Sequence, residues 1–134
     1  MAVADEEFLR RSFKPSDVAA PGRLSSTAFN DPGQCPSVDR ALLRADPSHT
    51  KRNPEDGVAE LLTSEVRGIT NIEQTGQNGA VYKIDVHERP VEDNPAHAQV
   101  EAAPDFAGGS RFKKLKEALS LLASKRPWLI NPGL

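Results

Sequence analysis

Apolar positions along this chain come in short pulses separated by proline and glycine. At 8–14, imperfect alternation bounded by acidic residues before and Pro15 after predicts a first strand. Pro15, Asp17, Pro21 and Gly22 are turn chemistry, and 24–29 reads as a second, hydroxyl-rich strand. Asn30 to Pro36 is loop. Ser37 then offers a cap for a short helix over 38–44, with Asp39 in its first turn and Leu42 and Leu43 for the core. No hydrophobic residue occurs from Asp46 to Asp56, so 46–57 reads as a mobile or functional loop. A strand over 58–62 follows, then a single helical turn at 65–67 capped by Thr63 or Ser64 and ended by Gly68 in the left-handed conformation.

The middle of the chain reads as a hairpin. Strands at 69–74 and 80–87 flank a five-residue connection over 75–79 that holds two glycines. Period-two alternation puts Tyr82, Ile84 and Val86 on a core face and Val81, Lys83, Asp85 and His87 on a wet one. After an acidic, proline-bounded loop, 96–102 alternates again, with His97, Gln99 and Glu101 facing together. Ser110 is placed to cap a helix over 111–125, in which Phe112, Leu115, Leu119 and Leu122 follow helical spacing and which Pro127 ends. Trp128 to Ile130 form a short apolar tail suited to an edge strand or a core plug. The sum is an α+β fold: a single compact domain over 8–134 with a curved antiparallel sheet, short helices and one C-terminal amphipathic helix. The acidic leader, 1–7, is expected to be disordered.

Composition narrows the function classes. The chain has 134 residues, with 17 basic against 19 acidic side chains and a formal net charge of -2. That balance excludes a generally basic nucleic-acid binder. A lone Cys35 with three scattered histidines has no zinc-ligand spacing, so neither metal nor cofactor is expected. No signal-peptide pattern and no spanning run is visible, which predicts a soluble, cytoplasmic protein without membrane contact.

Within the near-neutral whole, positive charge is concentrated between Arg111 and Arg126, where six basic residues face Glu117 alone. Arg111, Lys113, Lys114 and Lys116 are candidate binding residues there, suited to nucleic-acid phosphates or to this chain's own acidic stretch over 83–105. A solvated outer face on a core helix accounts for the same pattern. His49, Lys51 and Arg52 in the polar loop are further binding candidates. Candidate chemistry is sparse, since no nucleophile elbow, glycine-rich phosphate loop or signature pair of carboxylates is present. His97 follows a proline-fixed turn at the start of a strand, a rim position from which a histidine serves as acid or base, or merely hydrogen-bonds the turn. Arg10 and Arg11 on the first strand and Ser25 and Ser26 on the second outline an anion pocket, because a guanidinium holds phosphate or carboxylate in a forked geometry.

Leu9, Arg10 and Arg11, the stretch from Ser25 to Asp31, Ser37 to Asp39, and Asp93 to Ala98 resemble a group of small bacterial proteins of uncharacterised activity. That resemblance implies no chemistry. A second similarity is to ADP-ribosyltransferase-like folds, RES-type toxins included, which carry an arginine on the first strand and a hydroxyl pair on the second. It implies that Arg10 or Arg11 holds a phosphate and that Ser25 or Ser26 orients a ribose; the third element, a glutamate, has no clear counterpart beyond Glu73 and Glu101.

The missing catalytic signature and the segregated charge lead to an expected accessory or partner-binding protein, for example a subunit of a bacterial defence or toxin-type system, meeting a protein partner or its own copy. The alternative is a nucleotide-processing or ADP-ribosyltransferase-like enzyme using Arg10 or Arg11 to hold a phosphate, Ser25 or Ser26 to orient a ribose and His97 as acid-base group, with NAD or a nucleotide as ligand. It requires these side chains to converge in one cleft. A third reading is nucleic-acid binding through the basic helix.

Overall fold

A computed structural model describes residues 2–74 and 79–133. Among the described residues, seven strands and two α-helices follow one another as β1 (Phe8–Phe13), β2 (Val18–Ala20), β3 (Arg23–Leu24), β4 (Ser37–Arg40), β5 (Gly57–Leu62), α1 (Thr63–Arg67), β6 (Lys83–Glu88), β7 (His97–Ala103) and α2 (Gly109–Ser124). Five strands form one antiparallel sheet in the order β5-β1-β4-β7-β6, and β2 pairs with β3 apart from it.

Side-chain alternation splits the large sheet into two chemical faces. Leu9, Phe13, Val38, Ala59, Leu61, Ile84, Val86, Ala98 and Val100 are buried and join Phe112, Leu115 and Leu119 of α2 in a single core. The intervening positions, Arg10, Ser12, Ser37, Asp39, His97 and Gln99, belong to the opposite face. Phe13 meets Phe29 and Trp128 edge-on at 5.4 and 5.9 Å, so the apolar tail does plug the core. The same tail lies along β5 through an isolated bridge between Val58 and Ile130.

The α+β architecture expected from the pattern is what forms, with local exceptions. The expected helix over 38–44 is instead strand β4 and a turn. Main-chain pairing with both β1 and β7 decides the matter, and Leu42 and Leu43, expected in the core, are 68% and 49% exposed. The expected strand over 24–29 shrinks to Arg23–Leu24 followed by a 3-10 turn, Ser26–Phe29. Ser25 Oγ accepts from the Thr27 N–H there, a local bond that competes with strand pairing. Gly68 ends α1 at φ -78°, so no left-handed cap is used, and neither α1 nor α2 has the side-chain cap expected of Thr63, Ser64 or Ser110. The leader expected to fray is tied down from Ala2 on: Val3 is buried, and Arg40 donates to both carboxylate oxygens of Glu7, at 2.9 and 2.8 Å. The expected strand over 69–74 does not form, and the expected strand over 80–87 begins at Lys83; between the two flanks there is an isolated bridge from Glu73 to Val81, and residues 75–78 of the connection lie outside the described residues. No described helix is long and apolar enough to cross a membrane.

Candidate functional site

Register assembles the site. Arg10 of β1 lies opposite Asp39 of β4, and Asp39 lies opposite His97 of β7, so one rung of the sheet presents a cation, a carboxylate and an imidazole on the face away from the core. Arg10 is also opposite Glu60 of β5. Over this rung folds the polar loop after β4, whose 3-10 turn Pro47–Thr50 is capped by Asp46 accepting from the Ser48 N–H. The loop is sewn down: Thr50 Oγ1 donates to Asp39 at 2.9 Å, the Arg52 N–H donates to Ser12 Oγ at 3.1 Å, and Ser12 Oγ donates to buried Asp56 at 2.7 Å. From the opposite side Asn94 Nδ2 donates to the other Asp39 oxygen at 2.8 Å.

Between loop and sheet is a cleft of about 290 Å³, lined by Arg10, Arg11, Ser12, Ser37, Asp39, Arg44, His49, Thr50, Lys51, Arg52, Asn94 and His97 among others. Five of its lining residues are cationic and one is a carboxylate, and that carboxylate is committed, since Arg44 donates to Asp39 at 3.0 Å. Arg10 donates to the carbonyl oxygens of Arg44 and Ala45, which neutralise no charge, and Lys51 donates to the carbonyl of Pro54. His49 lies 3.7 Å from Asp46 at the rim. The result is a concave site with surplus positive charge held by main-chain acceptors, the electrostatic form of an anion receptor.

Arg11 is a different kind of arginine. Its side chain is 8% exposed, and the guanidinium forks onto both oxygens of Asp31 at 2.9 and 2.7 Å and donates to the carbonyls of Ala28 and Ser37. It also stands 4.9 Å from the Phe29 ring centre. Burial pushes the Asp31 carboxyl up, but the bonds and charge of Arg11, with the Ser37 N–H and the charge of Arg52, outweigh it and hold Asp31 below the usual carboxylate range. Arg11 therefore pins the 26–31 segment to β1 and β4, and its contribution to the cleft is architecture.

Of the candidates drawn from sequence, Arg10, Arg11, His97, His49, Lys51 and Arg52 come together in this cleft. Ser25 and Ser26 do not: they line a separate groove with Arg23, Glu117, Ser120 and Leu121, where Ser120 Oγ donates to the Ser25 carbonyl. An arginine, a serine and the histidine of the ADP-ribosyltransferase-like reading thus do not share one cleft, since neither Ser25 nor Ser26 lines the one that holds Arg10, Arg11 and His97. The basic residues of α2 lie apart as well. Lys116 donates to Asn30 Oδ1 at 3.0 Å and stands over the Phe112 ring, Lys114 borders a shallow groove with Asn71 and Leu121, and Lys113 is exposed. Arg111 is half-buried. At the other end of the helix Lys125 and Arg126 both meet Glu65. In the acidic stretch, Asp85 pairs with Arg67 and Glu101 with Arg89, rather than with α2.

Ser37, Asp39, Arg44, Thr50 and Asn94 also line the cleft, and no sequence motif marks them as site residues. By sequence Ser37 and Asp39 fit the cap and first turn of a helix, and only the pairing of β4 between β1 and β7 turns both toward the cleft. Among the described residues no group of three His, Cys, Asp or Glu side chains is arranged to hold a metal ion. Comparison with family models, with curated proteins and with solved structures returns no match for this chain. The geometry of the cleft therefore carries the functional argument.

Proposed function

We propose that the protein binds a small phosphorylated ligand of nucleotide class in the Arg10–His97 cleft. The observation that carries this reading is the surplus of cationic side chains in one concavity whose only carboxylate is already paired with Arg44. About 290 Å³ lies at the lower end of the range of small-molecule sites, roughly 300 Å³ and upward, which suits a mononucleotide or a smaller phosphate ester. Arg10 and Arg52 supply the donors that a phosphate needs, and an arginine fork matches its oxygens.

The test is thermal unfolding of the full chain with AMP, NAD or inorganic phosphate, since a ligand that binds only the folded state stabilises it by mass action, by about 2.7 kcal/mol at a hundredfold excess over Kd. A rise in Tm with AMP or phosphate that Arg10→Ala abolishes supports the reading. No rise with any of the three at millimolar concentration and low salt withdraws it.

A second reading, an accessory subunit that docks a protein partner, is favoured by the adjacent exposed side chains Leu42 and Leu43 just after β4. Its test is hydrodynamic: self-association or a co-purifying partner that Leu42→Glu with Leu43→Glu abolishes supports it, and a monomer with no partner in its native host withdraws it.

A further inference from the structure

Ser37 and His97 stand in a relation that binding alone does not call for. The Arg89 carbonyl oxygen lies 2.7 Å from His97 Nδ1, and since a carbonyl only accepts, Nδ1 carries the proton. In the neutral ring Nε2 is then the acceptor, and the hydroxyl of Ser37 faces it at 3.2 Å. A hydroxyl in hydrogen-bond reach of an imidazole whose far nitrogen is fixed by a third group is the arrangement of an activated nucleophile.

Both partners are held rigidly. The Ser37 N–H donates to Asp31 at 2.6 Å and its carbonyl accepts from Arg11 at 2.7 Å, while the His97 N–H donates to the Asn94 carbonyl and the His97 carbonyl accepts from the Arg89 N–H at 2.9 Å. The last contact closes a loop, because the residue that orients the ring also pairs with its main chain. Ser37 and His97 both line the cationic cleft.

We infer that Ser37 is a nucleophile and His97 its general base in the hydrolysis of a phosphate diester bound in the cleft, an inference that rests on the phosphate-binding reading above. Ser37 Oγ attacks phosphorus as its proton passes to His97 Nε2. The bond from phosphorus to the leaving oxygen breaks, and that oxygen takes the proton from His97. Water then attacks the phosphoseryl intermediate, gives its proton to Nε2, and the bond from Oγ to phosphorus breaks as Oγ is reprotonated. One ester bond and one water are consumed, with no change of oxidation state. Arg10, Lys51 and Arg52 offset the charge on the non-bridging oxygens throughout.

Diisopropyl fluorophosphate, which phosphorylates activated serines with loss of fluoride, is the probe. The expected result is a single adduct on Ser37, found by peptide mass mapping, absent in Ser37→Ala and formed about 100-fold more slowly in His97→Gln. His97→Gln should keep a cooperative urea transition, which separates loss of the base from loss of the fold. Absence of the adduct while phosphate still raises Tm overturns the inference and leaves the binding reading standing, as does labelling of His97→Gln at the wild-type rate. An adduct on Ser37 that phosphate neither slows nor competes with, in a chain that phosphate does not stabilise, overturns the binding reading and with it the phosphate diester as substrate.

Discussion

Arg10 and Arg11 are neighbours in sequence with the same side chain, yet strand alternation sends them to opposite faces of β1 and to opposite tasks. Arg11 is a buried cation whose partner, Asp31, is only 15% exposed. Removing one member of such a pair strands the other charge, at a cost of about 3–5 kcal/mol. Arg11→Ala is therefore expected to lower the urea midpoint sharply. Arg10 hydrogen-bonds two carbonyls that water can reach once the side chain is gone, so Arg10→Ala is expected to cost about 1 kcal/mol. Its effect should fall on phosphate affinity, reduced at least tenfold. Equilibrium urea unfolding beside calorimetric titration with phosphate measures both, and a larger stability loss at position 10 than at position 11 would reverse the assignment. The sequence offered both arginines as phosphate ligands. Alternation separates their faces, but the placement of the 26–31 segment, which no periodicity records, is what gives Arg11 its partners.

Among the elements, the strongly patterned ones were legible and the sites of tertiary override were not. Strands β1, β5, β6 and β7 and helix α2 each carry enough alternation or helical spacing to be read locally. Strand β4 does not: it spans four residues and begins with a serine that resembles a helix cap. Its identity comes from pairing on both edges. Because β4 is the middle of the sheet and supplies Ser37 and Asp39, the heart of the site takes shape only once β4 is paired on both edges. The C-terminal tail illustrates the same dependence on partners. Residues 128–133 lie along β5 and the loop before it, with Val58 N–H donating to the Ile130 carbonyl at 2.9 Å and Gly133 N–H to the Glu55 carbonyl at 2.7 Å. They pass so close that a Cβ on Gly57 would stand 2.7 Å from Pro132 and 2.9 Å from the Ile130 oxygen. Gly57→Ala is thus expected to push the tail off β5, costing about 1–3 kcal/mol as other overpacked positions do. Trp128 is the single tryptophan and packs edge-on to Phe13, so its emission should shift to the red in the variant. Unchanged emission and stability would mean that the tail contributes nothing to the core.

At the scale of the whole molecule, a chain with nearly balanced charge spends it on pairs that join distant segments. Glu7 holds Arg40, Asp31 holds Arg11, Asp85 holds Arg67 and Glu65 holds Arg126, each within 3.1 Å. The sequence showed where charge was dense but not which partners it would find, since each pair joins residues 18 or more positions apart. All four carboxyls lie below their ordinary range. Glu7 is lowered chiefly by the hydrogen bonds of Arg40 and Glu65 by that of Arg126, whereas burial pushes Asp31 and Asp85 up and is outweighed by Arg11 and Arg67. A carboxyl whose pKa is lower in the folded state than in the unfolded one stabilises the fold above the unfolded value, near pH 4, and that contribution disappears as pH falls through the folded value. Arginine stays charged across the accessible range, so no matching loss arises on the alkaline side. The expected urea midpoint is flat from about pH 8 to 5 and drops steeply below about 4. Glu7→Gln should lower the plateau and flatten the drop, because one of the titrating pairs is already gone. The decisive measurement is the midpoint of both proteins between pH 2.5 and 8. Superimposed curves would mean that the Glu7–Arg40 pair contributes no net stability, and a wild-type midpoint unchanged down to pH 3 would mean that none of the four carboxyls contributes through its lowered pKa.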